Sequence, residues 1–208
     1  MFSIAVFGDS ITFGIGDTEN KRGWVGRLRE YFEPKAKYNA LYNLGIPGNN
    51  SNDILARIDL ECLARRSNSY PDDRFAIIIA TGVNDTKTLG GKTKPQVKED
   101  KFEKNIKLLI RKSRKYTNEI SFVGPTPVDE SINPVDGNFF LNKRIGIYNE
   151  ILKKVCNQEK VVFIDLFNDW IANNYKKLLS DGLHPNANGY DTIFRKIKKE
   201  LISNNLLT

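Results

Sequence analysis

The sequence predicts an α/β protein, a three-layer α/β/α sandwich on a five-stranded parallel sheet, and three observations predict it. Short apolar runs such as residues 75–80, Phe-Ala-Ile-Ile-Ile-Ala, carry no polar face, as expected of strands covered by helices on both sides. Longer segments with apolar side chains at helical spacing alternate with those runs. Three of the runs end in polar, glycine-containing motifs, and the ligand crevice of an open α/β sheet lies outside the carboxyl ends of its strands. At 208 residues and 40% hydrophobic, the chain is long enough for one well-buried core. It shows no linker, low-complexity segment or internal repeat, so a single domain over residues 1–208 is expected.

Residues 2–7 read as the first strand, with Ile4 and Val6 at its centre, broken at once by Gly8-Asp9-Ser10-Ile11-Thr12. Residues 22–32 place Trp24, Leu28 and Tyr31 at helical spacing. Residues 38–44 form the second strand, which ends in Asn43-Leu44-Gly45-Ile46-Pro47-Gly48-Asn49-Asn50-Ser51. Ser51 is suited to cap a helix running to Arg66 with Ile54, Leu55, Ile58 and Cys62 on its inner face. The third strand, residues 75–80, ends at Gly82-Val83-Asn84-Asp85. Pro95 opens the next helix, which turns Phe102, Ile106, Leu109 and Ile110 inward, and a strand over residues 119–123 and a proline-rich loop over 125–137 follow. Phe139 and Phe140 suit either an acyl wall or the core, the core being favoured because they enter a helix. That helix carries Leu141, Ile145, Tyr148, Ile151, Leu152 and Val155 inward and leads to the fifth strand, residues 161–166. Asp181-Gly182-Leu183-His184-Pro185 precedes a last helix bearing Tyr190, Ile193, Ile197 and Leu201.

Chemistry is suggested at the two ends of the chain. Ser10 sits at the mouth of the first strand, although a serine after Gly-Asp more often serves a turn or a helix N-cap. His184 is the one histidine in the sequence. Neutral imidazole is the usual acceptor of a serine proton near neutral pH, and a carboxylate usually orients the ring. Asp181 stands three residues before His184, and a turn through Gly182 would bring both side chains to one rim, with Ser10 across the cleft.

The four motifs Gly8–Thr12, Asn43–Ser51, Gly82–Asp85 and Asp181–Pro185, in this order and at strand ends, resemble the SGNH (GDSL-like) hydrolase family of esterases and lipases over essentially the whole chain. The resemblance implies a flavodoxin-like strand order, Ser10 as nucleophile, His184 as general base and Asp181 as its orienting acid. It implies an oxyanion hole made by the Ser10 and Gly48 backbone N–H groups and the Asn84 side-chain amide, with Gly45 as the alternative glycine. The chain departs from many relatives in reading Ile11 for Leu and Asn49-Asn50 for Asp-Thr. The implied reaction is hydrolysis of a carboxylic ester of a small molecule through an acyl-enzyme, without a cofactor. Simple acyl esters, acetylated sugars, lysophospholipids and thioesters all remain open as substrates, as does acyl transfer to an alcohol.

Rival classes fit less well. The formal charge of +7 suits a binder of nucleic acid or an anionic surface. Yet the cations, Lys101, Lys104, Lys107, Arg111, Lys112, Arg114 and Lys115 on one helix and Arg195, Lys196, Lys198 and Lys199 on another, interleave with inward apolar positions as solvated helix faces do. Aromatic residues are not interleaved with them as in a nucleic-acid groove. Gly90-Gly91-Lys92-Thr93 mimics a phosphate loop, but the first glycine of that pattern would fall on Thr86, so the stretch reads as a loop over the cleft. Gly14 and Gly16 lack the third glycine of a dinucleotide fingerprint. Thr12 stands where a Gly-x-Ser-x-Gly elbow needs glycine. One histidine and two isolated cysteines are too few for a His/Cys metal site. No apolar run approaches the roughly 20 residues of a membrane span. Met1 leads directly into the first strand, leaving no room for a signal peptide, and Cys62 and Cys156 read as small core residues, so a reduced, cytoplasmic protein is expected. The sequence is silent on oligomeric state.

Overall fold

In a computed structural model, which describes residues 1–67, 69, 72–90 and 93–207, five strands form one parallel sheet. They are β1 (Phe2–Gly8), β2 (Ala40–Gly45), β3 (Arg74–Ala80), β4 (Glu119–Val123) and β5 (Val162–Ile164), in the order β2-β1-β3-β4-β5. This is the flavodoxin-like order that was expected. Because successive side chains of a strand point to opposite faces, each apolar run must be covered twice. Ile4 and Val6 of β1 pack with Trp24, Val25 and Leu28 of α1 (Gly23–Phe32) and Tyr190, Ile193 and Ile197 of α5 (Ala187–Ser203). Ala5 and Phe7 pack into the other core, with Ile54 and Ile58 of α2 (Ser51–Arg65), Phe102 and Ile106 of α3 (Glu99–Ser113) and Leu152 of α4 (Asn142–Gln158). Every residue of β1 is buried. The chain leaves β1 toward β2 on one side and then crosses to β3 on the other, so a crevice opens between the loops that follow β1 and β3.

Several local expectations are corrected. Asn50, not Ser51, caps α2: its side chain accepts from the N–H groups of Asn52 (2.9 Å) and Asp53 (3.4 Å), while Asp53 accepts from the Asn50 N–H at 2.9 Å. This reciprocal box leaves Ser51 free to turn into the protein. The helix after β3 begins at Glu99 rather than Pro95, because the N–H groups of Gln96 and Val97 are drawn to the carbonyls of Lys87 and Asp85 at 3.0 Å each. Glu99 and Asp100 then supply the negative charge that a helix N-terminus favours. Leu141 is exposed at the N-cap of α4 instead of facing inward. The fifth strand is shorter than residues 161–166. A two-stranded antiparallel pair, Thr88–Leu89 with Asn138–Phe139, was not anticipated, since two residues are too few to display an alternation. Phe140 is in the core as expected, whereas Phe139 is half-buried in that pair.

Cys62 and Cys156 are buried and unpaired, and burial pushes both thiols up to about 12, which keeps them protonated and inert. The cations of α3 and of the turn after it lie mostly on the exposed side, several of them paired with Asp100, Glu103, Asp59 or Glu159. Of the Gly90-Gly91-Lys92-Thr93 stretch, Gly91 and Lys92 lie outside the described residues. Among the described residues no helix is long and apolar enough to cross a membrane.

Candidate active site

Strand β1 turns straight into a one-turn helix, Ser10–Phe13, which a side chain at Gly8 would block: a Cβ there would lie 2.0 Å from the Thr12 hydroxyl oxygen. Asp9 caps that turn by accepting the Ile11 N–H at 2.9 Å. The cap leaves Ser10 at the carboxyl end of the sheet, nearly buried, with its hydroxyl aimed across the crevice.

The loop before α5 supplies what it meets. The Ser180 N–H donates to the His184 carbonyl at 2.8 Å, and the Ser180 hydroxyl donates to the same oxygen at 3.0 Å. These bonds close a tight loop whose turn passes through Gly182 at φ +88°, in the left-handed region glycine adopts without strain. The turn brings the Asp181 carboxylate back onto its own loop, where one oxygen accepts the N–H groups of Leu183 (2.9 Å) and His184 (2.7 Å). The other oxygen stands 2.6 Å from His184 Nδ1, and His184 Nε2 stands 2.9 Å from Ser10 Oγ. Three residues, two of them separated by 174 positions, thus form one hydrogen-bonded chain. Partial burial alone would raise the Asp181 carboxyl, but the hydrogen bonds from the His184 ring and the two backbone N–H groups outweigh it and hold the carboxyl below its ordinary range.

The 14–22 loop backs the histidine. A Cβ on Gly16 would come within 2.5 Å of the Ser180 hydroxyl and 3.2 Å of His184 Cβ, so only glycine allows this approach. The loop is tied down by Tyr190, which donates to the Ile15 carbonyl at 2.5 Å, and by buried Arg27, which grips both oxygens of Asp17 at 2.6 and 3.2 Å.

On the other side of Ser10, Asn84 lies in a one-turn helix, Val83–Thr86, directly after β3. Its amide nitrogen donates to Asp9 Oδ2 and to the Asn49 carbonyl, each at 3.2 Å, and so joins three of the sequence motifs. Gly48 is exposed at φ +82° with nothing within 4 Å of where a Cβ would stand. The backbone N–H groups of Gly48 and Ser10 have no hydrogen-bond partner among the described residues, whereas the Gly45 N–H donates to Asn43 Oδ1 at 3.0 Å. Gly45 is needed for close packing, since a Cβ there would lie 2.3 Å from the Phe13 nitrogen.

Two buried carboxylates in this half were not singled out in the sequence. Burial raises the Asp9 carboxyl, against the opposing pull of the Ile11 N–H and of the charge His184 carries when protonated. Asp85 is fully buried and accepts from the Ser51 N–H (3.1 Å), the Ser51 hydroxyl (2.5 Å) and the Thr81 hydroxyl (3.2 Å), and burial still pushes it up to about 6. Asn105 of α3 donates to the same Ser51 hydroxyl at 2.8 Å. An Asp next to Asn84 looks like turn chemistry in a sequence, and its burial depends on α2 and α3 closing over it.

Apolar side chains stand exposed around the crevice, namely Phe13, Ile46, Leu89 and Ile132. A groove of about 570 Å³ runs beside the Ser10–Phe13 turn, lined by Phe13, Asn20, Arg22, Arg29 and Asn43 among others. No group of three or more His, Cys, Asp or Glu residues is placed to hold a metal ion among the described residues.

A flavodoxin-like sandwich with serine, histidine and aspartate in one hydrogen-bonded chain at the sheet's carboxyl end has the architecture of a serine hydrolase. The chain belongs to the GDSL-like lipase/acylhydrolase family, whose model matches residues 6–192. It is similar to the isoamyl acetate-hydrolyzing esterase of Saccharomyces cerevisiae, 29% identical over 136 residues, a match spanning 59% of this chain and 56% of the yeast protein. Among solved structures it resembles a lipase/acylhydrolase from Enterococcus faecalis, with a TM-score of 0.75 and 23% identity over 98% of this chain and 97% of that one. It also resembles an acetylxylan esterase from Geobacillus stearothermophilus, with a TM-score of 0.72 and 20% identity over 96% of this chain and 93% of the other. These two likenesses concern the fold.

Proposed function

We propose that the protein is a serine esterase that cleaves carboxylic esters of small molecules through an acyl-enzyme on Ser10. The observation that carries the reading is the chain from Ser10 Oγ to His184 Nε2 (2.9 Å) and from His184 Nδ1 to Asp181 (2.6 Å). As the Ser10 oxygen attacks the ester carbonyl, its proton passes to Nε2, and Asp181 stabilises the imidazolium while fixing which nitrogen holds a proton beforehand. His184 then returns the proton to the departing alkoxide. A water molecule, deprotonated by the same nitrogen, attacks the acyl-enzyme, and His184 passes that proton to Ser10 Oγ as the acyl–oxygen bond breaks and the acid is freed.

Negative charge on the carbonyl oxygen is met by the Ser10 and Gly48 N–H groups and the Asn84 amide. The unengaged N–H of Gly48 favours it over Gly45, whose N–H is bonded to Asn43. One Asn84 hydrogen stays on Asp9, and the other exchanges the Asn49 carbonyl for the substrate oxygen, a long contact of 3.2 Å that the reaction can replace.

Short acyl esters are the first substrates to try, because the yeast relative is named for an acetate ester and the Geobacillus neighbour for acetylated xylan. A panel of p-nitrophenyl esters of increasing chain length, run beside acetylated sugars, tests the reading. It predicts turnover of the shortest esters that disappears in Ser10→Ala. Equal turnover in Ser10→Ala contradicts it.

A further inference from the structure

We propose that Arg57 is a positioning residue for the oxyanion hole, its guanidinium holding the loop that carries Gly48 in register with Ser10. The inference rests on the serine-esterase reading above. Arg57 lies in α2 at the edge of the inner stripe formed by Ile54 and Ile58. Its Nη2 donates to the Leu44 carbonyl at 2.7 Å and to the Gly8 carbonyl at 3.3 Å, and its Nε donates to Asn49 Oδ1 at 3.1 Å. Leu44 opens the segment that contains Gly48, Asn49 closes it, and Gly8 ends the strand two residues before Ser10. One rigid fork therefore spans both ends of the loop and ties them to the nucleophile's strand.

Gly48 has no comparable anchor of its own. It is exposed, at positive φ, with no atom near its Cβ position and, among the described residues, no partner for its N–H. Its placement is inherited from its neighbours, and an oxyanion donor misplaced by even a fraction of an ångström loses much of its effect.

The charge arrangement points the same way. Partial burial disfavours the charged form of Arg57, against the pull of the Glu61 and Asp53 charges, and Glu61 makes only a long ion pair with it at 3.8 Å while its other oxygen pairs with Arg65. Nη1, the atom facing Glu61, is buried without a hydrogen-bond partner among the described residues. The directed hydrogen bonds of the guanidinium thus go to two backbone carbonyls and an amide oxygen rather than to the long Glu61 pair. At Asn49 the side-chain amide oxygen receives the Nε bond at 3.1 Å.

The test measures kcat and KM for p-nitrophenyl acetate and the affinity of a boronic acid, whose adduct with a serine mimics the tetrahedral intermediate. Arg57→Gln should lower kcat by about 10- to 100-fold with KM changed by less than about twofold, and boronate affinity should fall in parallel with kcat/KM. Arg57→Lys should restore part of the loss. Asn49→Ala should cost about three- to tenfold, and adding it to Arg57→Gln should cost nothing more, because both changes break one contact. Should Arg57→Gln fail to fold, Arg57→Lys and Asn49→Ala carry the same comparison. Folded variants that keep kcat and boronate affinity within twofold, whatever their melting temperature, overturn the proposal, as do additive losses. If Ser10→Ala and Asn84→Ala lose turnover while Arg57 variants do not, this inference fails alone. If Ser10→Ala retains turnover, the esterase reading falls and this inference falls with it.

Discussion

Ser10 and Asp181 each already stand at hydrogen-bonding distance of His184, whereas Asn84, across from them, spends its amide hydrogens on Asp9 and on the Asn49 carbonyl. The first half of the site is local in construction. Its acid and base come from one four-residue loop, and the Asp181 carboxylate is 44% exposed, so water and two backbone N–H groups keep it charged at small cost. The second half draws on three loops, held together by Asp9, Asp85, Ser51 and Arg57, all wholly or partly buried. There burial dominates and carboxyls are pushed up. The difference teaches that substitutions in the first half should alter chemistry with little effect on folding, while those in the second should alter both.

The largest effect is expected at the base. His184→Ala should reduce kcat by roughly 10⁴-fold or more with an unchanged circular dichroism spectrum, since no second histidine can substitute. Asp181→Asn should lower kcat by roughly 10² to 10⁴-fold, because the ring loses the acceptor that fixes its tautomer. Retention of most activity in either variant would break the first half of the comparison.

Asn84→Ala should lower kcat by roughly 10² to 10³-fold with a smaller change in KM, the usual scale for one oxyanion donor. Removing its bonds to Asp9 and Asn49 should also lower the melting temperature. A change in KM alone would make Asn84 a residue of substrate binding.

The smallest effects concern stability, and the two carboxylates should respond to pH with opposite signs. Asp181 is held below its unfolded value, so its contribution is present above about pH 4 and is lost as pH falls through the folded value. Asp85, raised to about 6, favours folding most when protonated. Its contribution is present below about pH 4 and is lost as pH rises through about 6, a difference on the order of 3 kcal/mol for two units. Urea unfolding at pH 4.5 and 7.5 should show that Asp85→Asn removes this loss and leaves a flatter dependence over that interval. An identical pH slope in wild type and variant would contradict the buried, strained state of that carboxyl.

Much of this arrangement was legible in the sequence, for physical reasons that also mark where legibility stopped. The strands announced themselves because β1 and β3 are covered on both faces and hence uniformly apolar, and the strand order followed from the family resemblance. Ser10, His184 and Asp181 were found because one histidine leaves one choice of base and Gly182 supplies the turn. The start of α3 was misplaced because Pro95 is a local signal, overridden by the bonds that draw Gln96 and Val97 beside the Asn84 turn. Ser51 was taken for a cap because its neighbour Asn50 offers the same chemistry, and only the buried Asp85 decides between them. Arg57 gave one faint sign, a cation at the margin of an apolar helical stripe. Two of its three hydrogen-bond partners are backbone carbonyls of Gly8 and Leu44, which no side-chain pattern records.

The central claim is that Ser10 is the nucleophile and that His184 activates it. Treating the protein with a fluorophosphonate and mapping the adduct by peptide mass spectrometry tests it most directly. The account predicts stoichiometric labelling of the wild type at Ser10 alone, and labelling of His184→Ala slowed by orders of magnitude. An adduct on any other serine, or labelling of His184→Ala at the wild-type rate, would contradict it.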